Sequence, residues 1–218
     1  MRTHAPTSVS SLYGRDGARK YLTQTERQKA LAAMTRLDPR HALFALTLAW
    51  TGARVSEVLA LTASSFQVDQ GVVAIATLKR RRAVMREVPI PPDLMKALDR
   101  QFQLRRLQRD PVQACLRPWP WCRVTAWRIV GRIMRQAGIS GRHACPRGLR
   151  HAFGVGGLQA GVPLNLLQRW LGHARISTTA IYADACGPEE AAIAQRFWQT
   201  GRRRTAEASR RDHGLSSP

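Results

Sequence analysis

Arg147 and Arg150 stand three apart in "PRGLRHAF", a spacing that puts two guanidiniums on one helix-turn face. Like charges side by side disfavour folding unless an acid or anion compensates them. No Asp or Glu lies between Asp110 and Asp184, so an anion from outside the chain is a credible partner. Arg54 in "TGARVSEVL" opens a helix one turn before Glu57, and a simple pairing with that glutamate explains it as readily as chemistry does. Lys79 sits in "LKRRR" with Arg80, Arg81 and Arg82; a solvated basic loop and a functional tip both fit. In "WLGHARISTTAIYADAC" the polar stretch Ala174–Thr179 separates His173 from Tyr182, one of three tyrosines. Such a stretch is a poor anchor for a core aromatic, and it predicts a phenol on a mobile polar segment.

The elements that must position these groups follow from period and punctuation. Thr23 or Thr25 can cap a helix beginning near Glu26, with Leu31 and Met34 inward. A second helix from about Arg40 carries Leu43, Phe44, Leu46 and Leu48, and the "TG" at 51–52 breaks it before Val55, Val58 and Leu59 repeat at helical spacing. The period then changes. "GVVAIAT" (71–77) and "REVPI" (86–90) are β-rich runs joined by "LKRRRAVM", a hairpin with a cationic tip that carries Lys79. Helical text resumes over Pro92–Leu107, followed by a Pro/Trp loop, "RPWPWC". In "VTAWRIVGRIMRQAG" Arg128, Arg132 and Arg135 share one face and Gly138 ends the helix. Further helices are predicted at about 149–160, 163–171 and 188–199, the last opening "GPEE" with acids at its positive end. The fold class is mainly α with a small antiparallel β-sheet (α+β). The expected organisation is a flexible arm over 1–20, one domain over 21–200 and a basic, disordered tail over 201–218.

Composition narrows the partners. Against 35 Lys+Arg stand 14 Asp+Glu, a formal charge of +21, and ten arginines fall in the acid-free middle. Such a field attracts polyanions, nucleic acid foremost, with a membrane surface or an acidic protein second. No apolar run reaches spanning length and the N-terminus has no signal-peptide core, which predicts a soluble intracellular protein. Cys115, Cys122, Cys145 and Cys186 show no Cys-x-x-Cys spacing, and no second pair joins His143 and Cys145 to make a zinc site. Reduced, partly buried thiols are expected.

Taken in order, "TGARVSE", a lysine at a hairpin, "LRHAF", "LGH" and "STTAIY" resemble the tyrosine recombinases of the phage integrase family, over roughly residues 21–200. Each motif alone is weak, and together they are specific. The resemblance implies a catalytic domain that cuts and rejoins double-stranded DNA with no metal, ATP or other cofactor. Tyr182 would be the nucleophile, forming a 3′-phosphotyrosyl link. Arg54 and Arg150 would clamp the non-bridging oxygens, Lys79 would protonate the leaving 5′ oxygen, and His173 would hydrogen-bond the phosphate. Glu57 would support Arg54. Ionising a free phenol at pH 7 costs about 4 kcal/mol, and clustered arginines lower that cost. Arg80, Arg81, Arg82, Arg128, Arg132 and Arg135 are the candidate DNA-binding residues. The resemblance also implies a homodimer to homotetramer on DNA, helix 188–199 exchanged between protomers, accessory DNA-bending proteins, no membrane, and a place in the cytoplasm with the nucleoid.

Two departures qualify the resemblance. Most members read His-x-x-Arg where this chain has Arg147-Gly-Leu-Arg150. Histidine exchanges protons near neutral pH and arginine does not. Either Arg147 is only another phosphate contact, with Tyr182 losing its proton to water or to His173, or activity is weakened; His143, four residues early, is a minor candidate to stand in. A basic residue here is also similar to the type IB topoisomerases. The second departure is that only about twenty residues precede the domain, where typical members carry a DNA-clamping domain of about a hundred residues. The chain therefore resembles the short forms such as the invertases of fimbrial phase switches, and steep salt dependence is expected. The alternatives are a type IB topoisomerase-like nicking and relaxing enzyme, or a catalytically silent DNA-binding protein.

Overall fold

Local signals decide where most elements fall. Thr23 caps α1 (Gln24–Met34) in a capping box: its hydroxyl accepts from the Glu26 N–H while the Glu26 carboxylate accepts from the Thr23 N–H. Asp38 caps α2 (Pro39–Thr51), and Gly52, at φ 61, closes it in the left-handed conformation. The short α3 (Val55–Leu59) starts at once, with extended Arg54 as its first flanking residue. The computed structural model describes residues 12–14, 16–77, 84–184, and 191, 194, 195, 198 and 199.

Strands β1 (Phe66–Gln67), β2 (Val72–Thr77) and β3 (Val84–Pro89) form an antiparallel sheet in the order β1-β2-β3. Val73 pairs with Val88, Ile75 with Arg86 and Thr77 with Val84. The hairpin tip with Lys79, Arg80, Arg81 and Arg82 lies outside the described residues. The single helix expected over Pro92–Leu107 is two, α4 (Pro92–Phe102) and α5 (Leu104–Leu107), because Gln103 between them turns left-handed at φ 52. An unforeseen turn, α6 (Pro111–Ala114), is capped by Asp110. Then come α7 (Arg123–Gln136), α8 (Pro146–Gln159), α9 (Leu164–Leu171), α10 (Ser177–Ala180) and a 3-10 turn, Ile181–Asp184. The expected class, mostly helix with a small antiparallel sheet, is the one observed. Helix α8 starts one turn earlier than expected, on Pro146, which takes Arg147 into the same helix as Arg150.

The core is built from the inner faces of α1, α2, α4 and α7 and of the sheet. Its centre comes from the Pro/Trp loop: buried Trp119 meets Phe44, Phe66 and Phe102 edge-on and donates Nε1–H to the Arg40 carbonyl at 3.1 Å. The chain joins this core before residue 20, the expected limit of the arm. Leu12 is fully buried, Tyr13 bridges Arg19, and the Arg19 guanidinium pairs with Glu26. Cys115 and Cys122 are exposed rather than partly buried, Cys145 is half-buried, and Cys186 lies outside the described residues. Residues up to Asp184 form one compact unit and Ala185–Pro218 a second. Within the second, Ala191, Ala194, Gln195, Trp198 and Gln199 are helical; the rest of the helix expected over 188–199 and the tail 201–218 lie outside the described residues. Among the described residues no helix is long and apolar enough to cross a membrane.

Candidate active site

The first corner of the site is organised by a buried acid. Glu57 lies in the first turn of α3 and is 2 % exposed, so its charge needs partners. Arg54 supplies a backbone N–H at 2.9 Å and a guanidinium N–H at 2.8 Å, and Arg86 supplies Nη2–H at 2.6 Å. Burial pushes the Glu57 carboxyl up, but the Arg86 and Arg54 charges and hydrogen bonds overcome it and hold the carboxyl below its ordinary value. Arg86, 4 % exposed, ties four elements together. Besides Glu57 it donates Nη1–H to Thr77 Oγ1 at 2.9 Å and Nε–H to the Trp170 carbonyl at 2.7 Å. Thr77, Arg86, Gly172 and His173 line a cleft of about 300 Å³, and Lys79 follows Thr77 by two residues in sequence.

At the second corner no carboxylate among the described residues is hydrogen-bonded to the arginine. Arg150 is 8 % exposed, and its guanidinium donates to the Gly52 carbonyl at 2.6 Å and the Leu171 carbonyl at 2.7 Å. These are carbonyls at the C-terminal ends of α2 and α9, where helix dipoles are negative, and they take the part that a carboxylate plays elsewhere. Burial first, and the Arg54 charge second, bring the Arg150 guanidinium down to about 10. Gly52 makes the approach possible: a Cβ there would lie 2.4 Å from the Phe153 ring.

Tyr182 corrects the expectation of a phenol on a mobile polar segment. It is 1 % exposed. The polar run before it folds into α10 and the 3-10 turn, which press the ring against α8 at Gly154, where a Cβ would stand 2.5–2.6 Å from three ring carbons. The hydroxyl lies 3.2 Å from His151 Nδ1. His173 is stacked on the ring at 15° with centroids 6.3 Å apart, its own Nδ1 bonded to buried Thr179 at 2.9 Å. Burial raises the phenol above its ordinary value while Arg150 and Arg54 pull it down without cancelling that. The same environment keeps both imidazoles neutral. Burial, then Arg150 and Arg54, push His173 down to about 3; burial, then Arg147, Arg150 and Lys20, push His151 down to about 4.

Arg54, Arg150, His173 and Tyr182 are therefore brought together, each within the others' electrostatic reach. Arg147 is exposed on α8 and its charge bears on His151. His143 is not a stand-in: it is buried beside α1, with Nε2 3.3 Å from a Glu26 oxygen. Arg128, Arg132 and Arg135 are exposed together on α7, away from its buried Ile129 and Ile133 side. Two residues of the site were missed. Arg86 shares strand parity with inward Val88 and Ile90, which marks it as an inward charge. His151 falls on the α8 face that also holds Arg147 and Gly154, at spacings of four and three.

Cations gathered around a phenol suit transfer of a phosphate group to that phenol, and this is the class of domain the fold and site define. The chain belongs to the phage integrase family, whose model matches residues 20–186. It is 31% identical over 172 residues to the tyrosine recombinase XerA of Pyrococcus furiosus, covering 75% of this chain and 56% of that protein; the chain thus spans little more than half of that relative's length. A crystal structure of XerA recombinase superposes with a TM-score of 0.66 at 26% identity, covering 83% of this chain and 64% of that one. The XerH site-specific recombinase bound to its difH substrate before cleavage shares the fold, with a TM-score of 0.63 at 24% identity over 75% of this chain and 50% of that one.

Proposed function

We propose that this chain is a site-specific DNA recombinase that cuts and rejoins double-stranded DNA through a 3′-phosphotyrosyl intermediate on Tyr182. The observation that carries this reading is the packing of the Tyr182 ring on α8 at Gly154, one turn from Arg150, whose guanidinium is held by the carbonyl of Gly52, two residues before Arg54. A scissile phosphate placed between the two guanidiniums replaces part of the carbonyl bonding of Arg150 and offsets the Arg150 and Arg54 charges that, after burial, hold His173 neutral. Tyr182 Oη then attacks phosphorus, Lys79 protonates the departing 5′ oxygen, and His173 orients the phosphate. Arg147 is a further phosphate contact. Because the phenol is buried, DNA binding has to uncover it. The exposed arginines of α7, with Arg80, Arg81 and Arg82 of the hairpin, take the DNA backbone, so affinity falls steeply with salt. Protomers act as dimers and tetramers on paired sites, with accessory bending proteins and helix 188–199 exchanged; exposed Trp198 suits such docking. The protein works in the cytoplasm, at the nucleoid.

A nicked suicide substrate carrying the native site tests this. The expected result on a denaturing gel is a covalent 3′ adduct that is lost in Tyr182→Phe. Binding with no adduct would make the protein a silent DNA-binding factor. Relaxation of supercoils without recombinant product from two sites would make it a type IB topoisomerase-like enzyme. In Lys79→Ala, cleavage should fall sharply while affinity barely moves; equal loss of both would reduce Lys79 to one charge of a basic loop.

A further inference from the structure

The family's usual histidine three residues before the second arginine is Arg147 here, which cannot take a proton. The phenol nevertheless has a histidine on it. His151 Nδ1 and Tyr182 Oη are 3.2 Å apart, on rings 5.8 Å between centroids. Resting on the reading above, we infer that His151 is the general base for Tyr182, accepting the phenol proton as the tyrosyl–phosphate bond forms.

The geometry supports this in three ways. His151 follows Arg150 directly in α8, so the group that receives the proton and the group that grips the phosphate share one rigid helix turn. Gly154, one turn further on, is the seat of the tyrosine ring, so the same helix sets both the base and the nucleophile's distance from it. The charges facing His151 are Arg147 and Arg150 on α8 and Lys20 from the segment before α1, and His151 in turn bears on His173 after α9. All of these are cationic or neutral. Burial first, and these cations second, keep the imidazole unprotonated in the free protein, and a bound phosphate offsets the cations' part. The base therefore gains proton affinity when substrate is present, and free Tyr182 stays a phenol.

The step balances as follows. His151 carries its proton on Nε2 and takes the phenol proton on Nδ1 as the Oη–P bond forms. The P–O5′ bond breaks and Lys79 protonates the 5′ oxygen. In rejoining, Lys79 takes back the proton of the 5′ hydroxyl as that oxygen attacks phosphorus, the Oη–P bond breaks, and His151 returns the proton to Oη.

His151→Gln is the test, because its amide oxygen can still accept the phenol hydrogen bond but cannot keep the proton. Adduct formation is followed on the suicide substrate, and on one with a 5′-bridging sulfur, whose departure needs no acid. Thermal melting and DNA affinity are measured alongside. The expected result is an intact fold, unchanged affinity and a loss of about 100-fold or more in adduct rate on both substrates. The acid limb of the wild-type pH–rate profile disappears in the variant, while sulfur substitution restores Lys79→Ala. Wild-type rate and pH profile in a folded His151→Gln, or rescue of that variant by sulfur, overturns the inference and leaves the phosphotyrosyl reading standing. If His151→Gln does not fold, His151→Asn and the shape of the wild-type profile decide: a flat profile on the sulfur substrate overturns the inference. No adduct from the wild-type protein overturns both.

Discussion

The two corners of the site hold their arginines by opposite means. Arg54 is fixed by an acid that is itself fixed: buried Glu57 bridges it to buried Arg86, and Arg86 pins β3 to β2 and to the end of α9. Arg150 is fixed by backbone carbonyls, among histidines and a phenol that burial keeps uncharged. The first corner sets one buried carboxylate between two guanidiniums, so buried Arg86 is satisfied within the chain while partly exposed Arg54 keeps charge to offer the phosphate. The second holds a cation only partly compensated by dipoles, so its balance is left for an incoming anion. The difference teaches that buried arginines serve two purposes here, one to lock the sheet to the helices and one to receive a ligand.

The comparison breaks most severely at Glu57. Glu57→Ala leaves Arg86 buried and unpaired, and urea unfolding should show a loss of about 3–5 kcal/mol. Replacing Glu57 and Arg86 together by methionine should recover a large part of it; no recovery would mean the network is not what Glu57 supports. A smaller effect is expected on the other side, at Gly154. Gly→Ala within a helix ordinarily stabilises by about 0.5–1 kcal/mol. Here the added methyl runs into the Tyr182 ring, so Gly154→Ala should instead destabilise by about 1–3 kcal/mol and raise the phenol's reactivity toward acetylating reagents. A stabilised variant would contradict the packing.

The mildest test is acid. His151 and His173 lie at about 4 and about 3 in the folded state against 6.5 when exposed, so the unfolded chain binds more protons below pH 6.5. Stability is full above that value and declines as pH falls from 6.5, through about 4 for His151 and about 3 for His173. Glu26, held down to about 2 first by its Arg19 hydrogen bond, adds its own loss only below about 4.5. Urea midpoints at pH 7 and pH 5 should therefore differ in the wild type and differ less in the His151→Gln, His173→Gln double variant.

What could be read in the sequence follows the same division. The capping box at Thr23, the Arg54–Glu57 pairing and the hairpin are local, set by neighbours three to ten residues apart, and they were legible. Arg86 was half-legible through strand parity, although its partners at 57, 77 and 170 come from three other elements. The placement of Tyr182 was not legible. Polar Ala174–Thr179 argues for exposure, and only Thr179 turning inward onto His173, with a glycine far away on α8, makes room for the ring. The compensation of Arg150 was hidden for a related reason: backbone carbonyls have no letter in a sequence, so a search for acids finds nothing.

Gly52 has a further bearing on how the two guanidiniums stay matched. Its carbonyl grips Arg150 from 98 positions away, and the chain reaches Arg54 only two residues later. The span between the paired cations is thus gauged by a stub of main chain, as the jaws of a caliper are by its beam. Side chains around the stub can be exchanged at modest cost, but lengthening it by one residue would throw both jaws out of register at once.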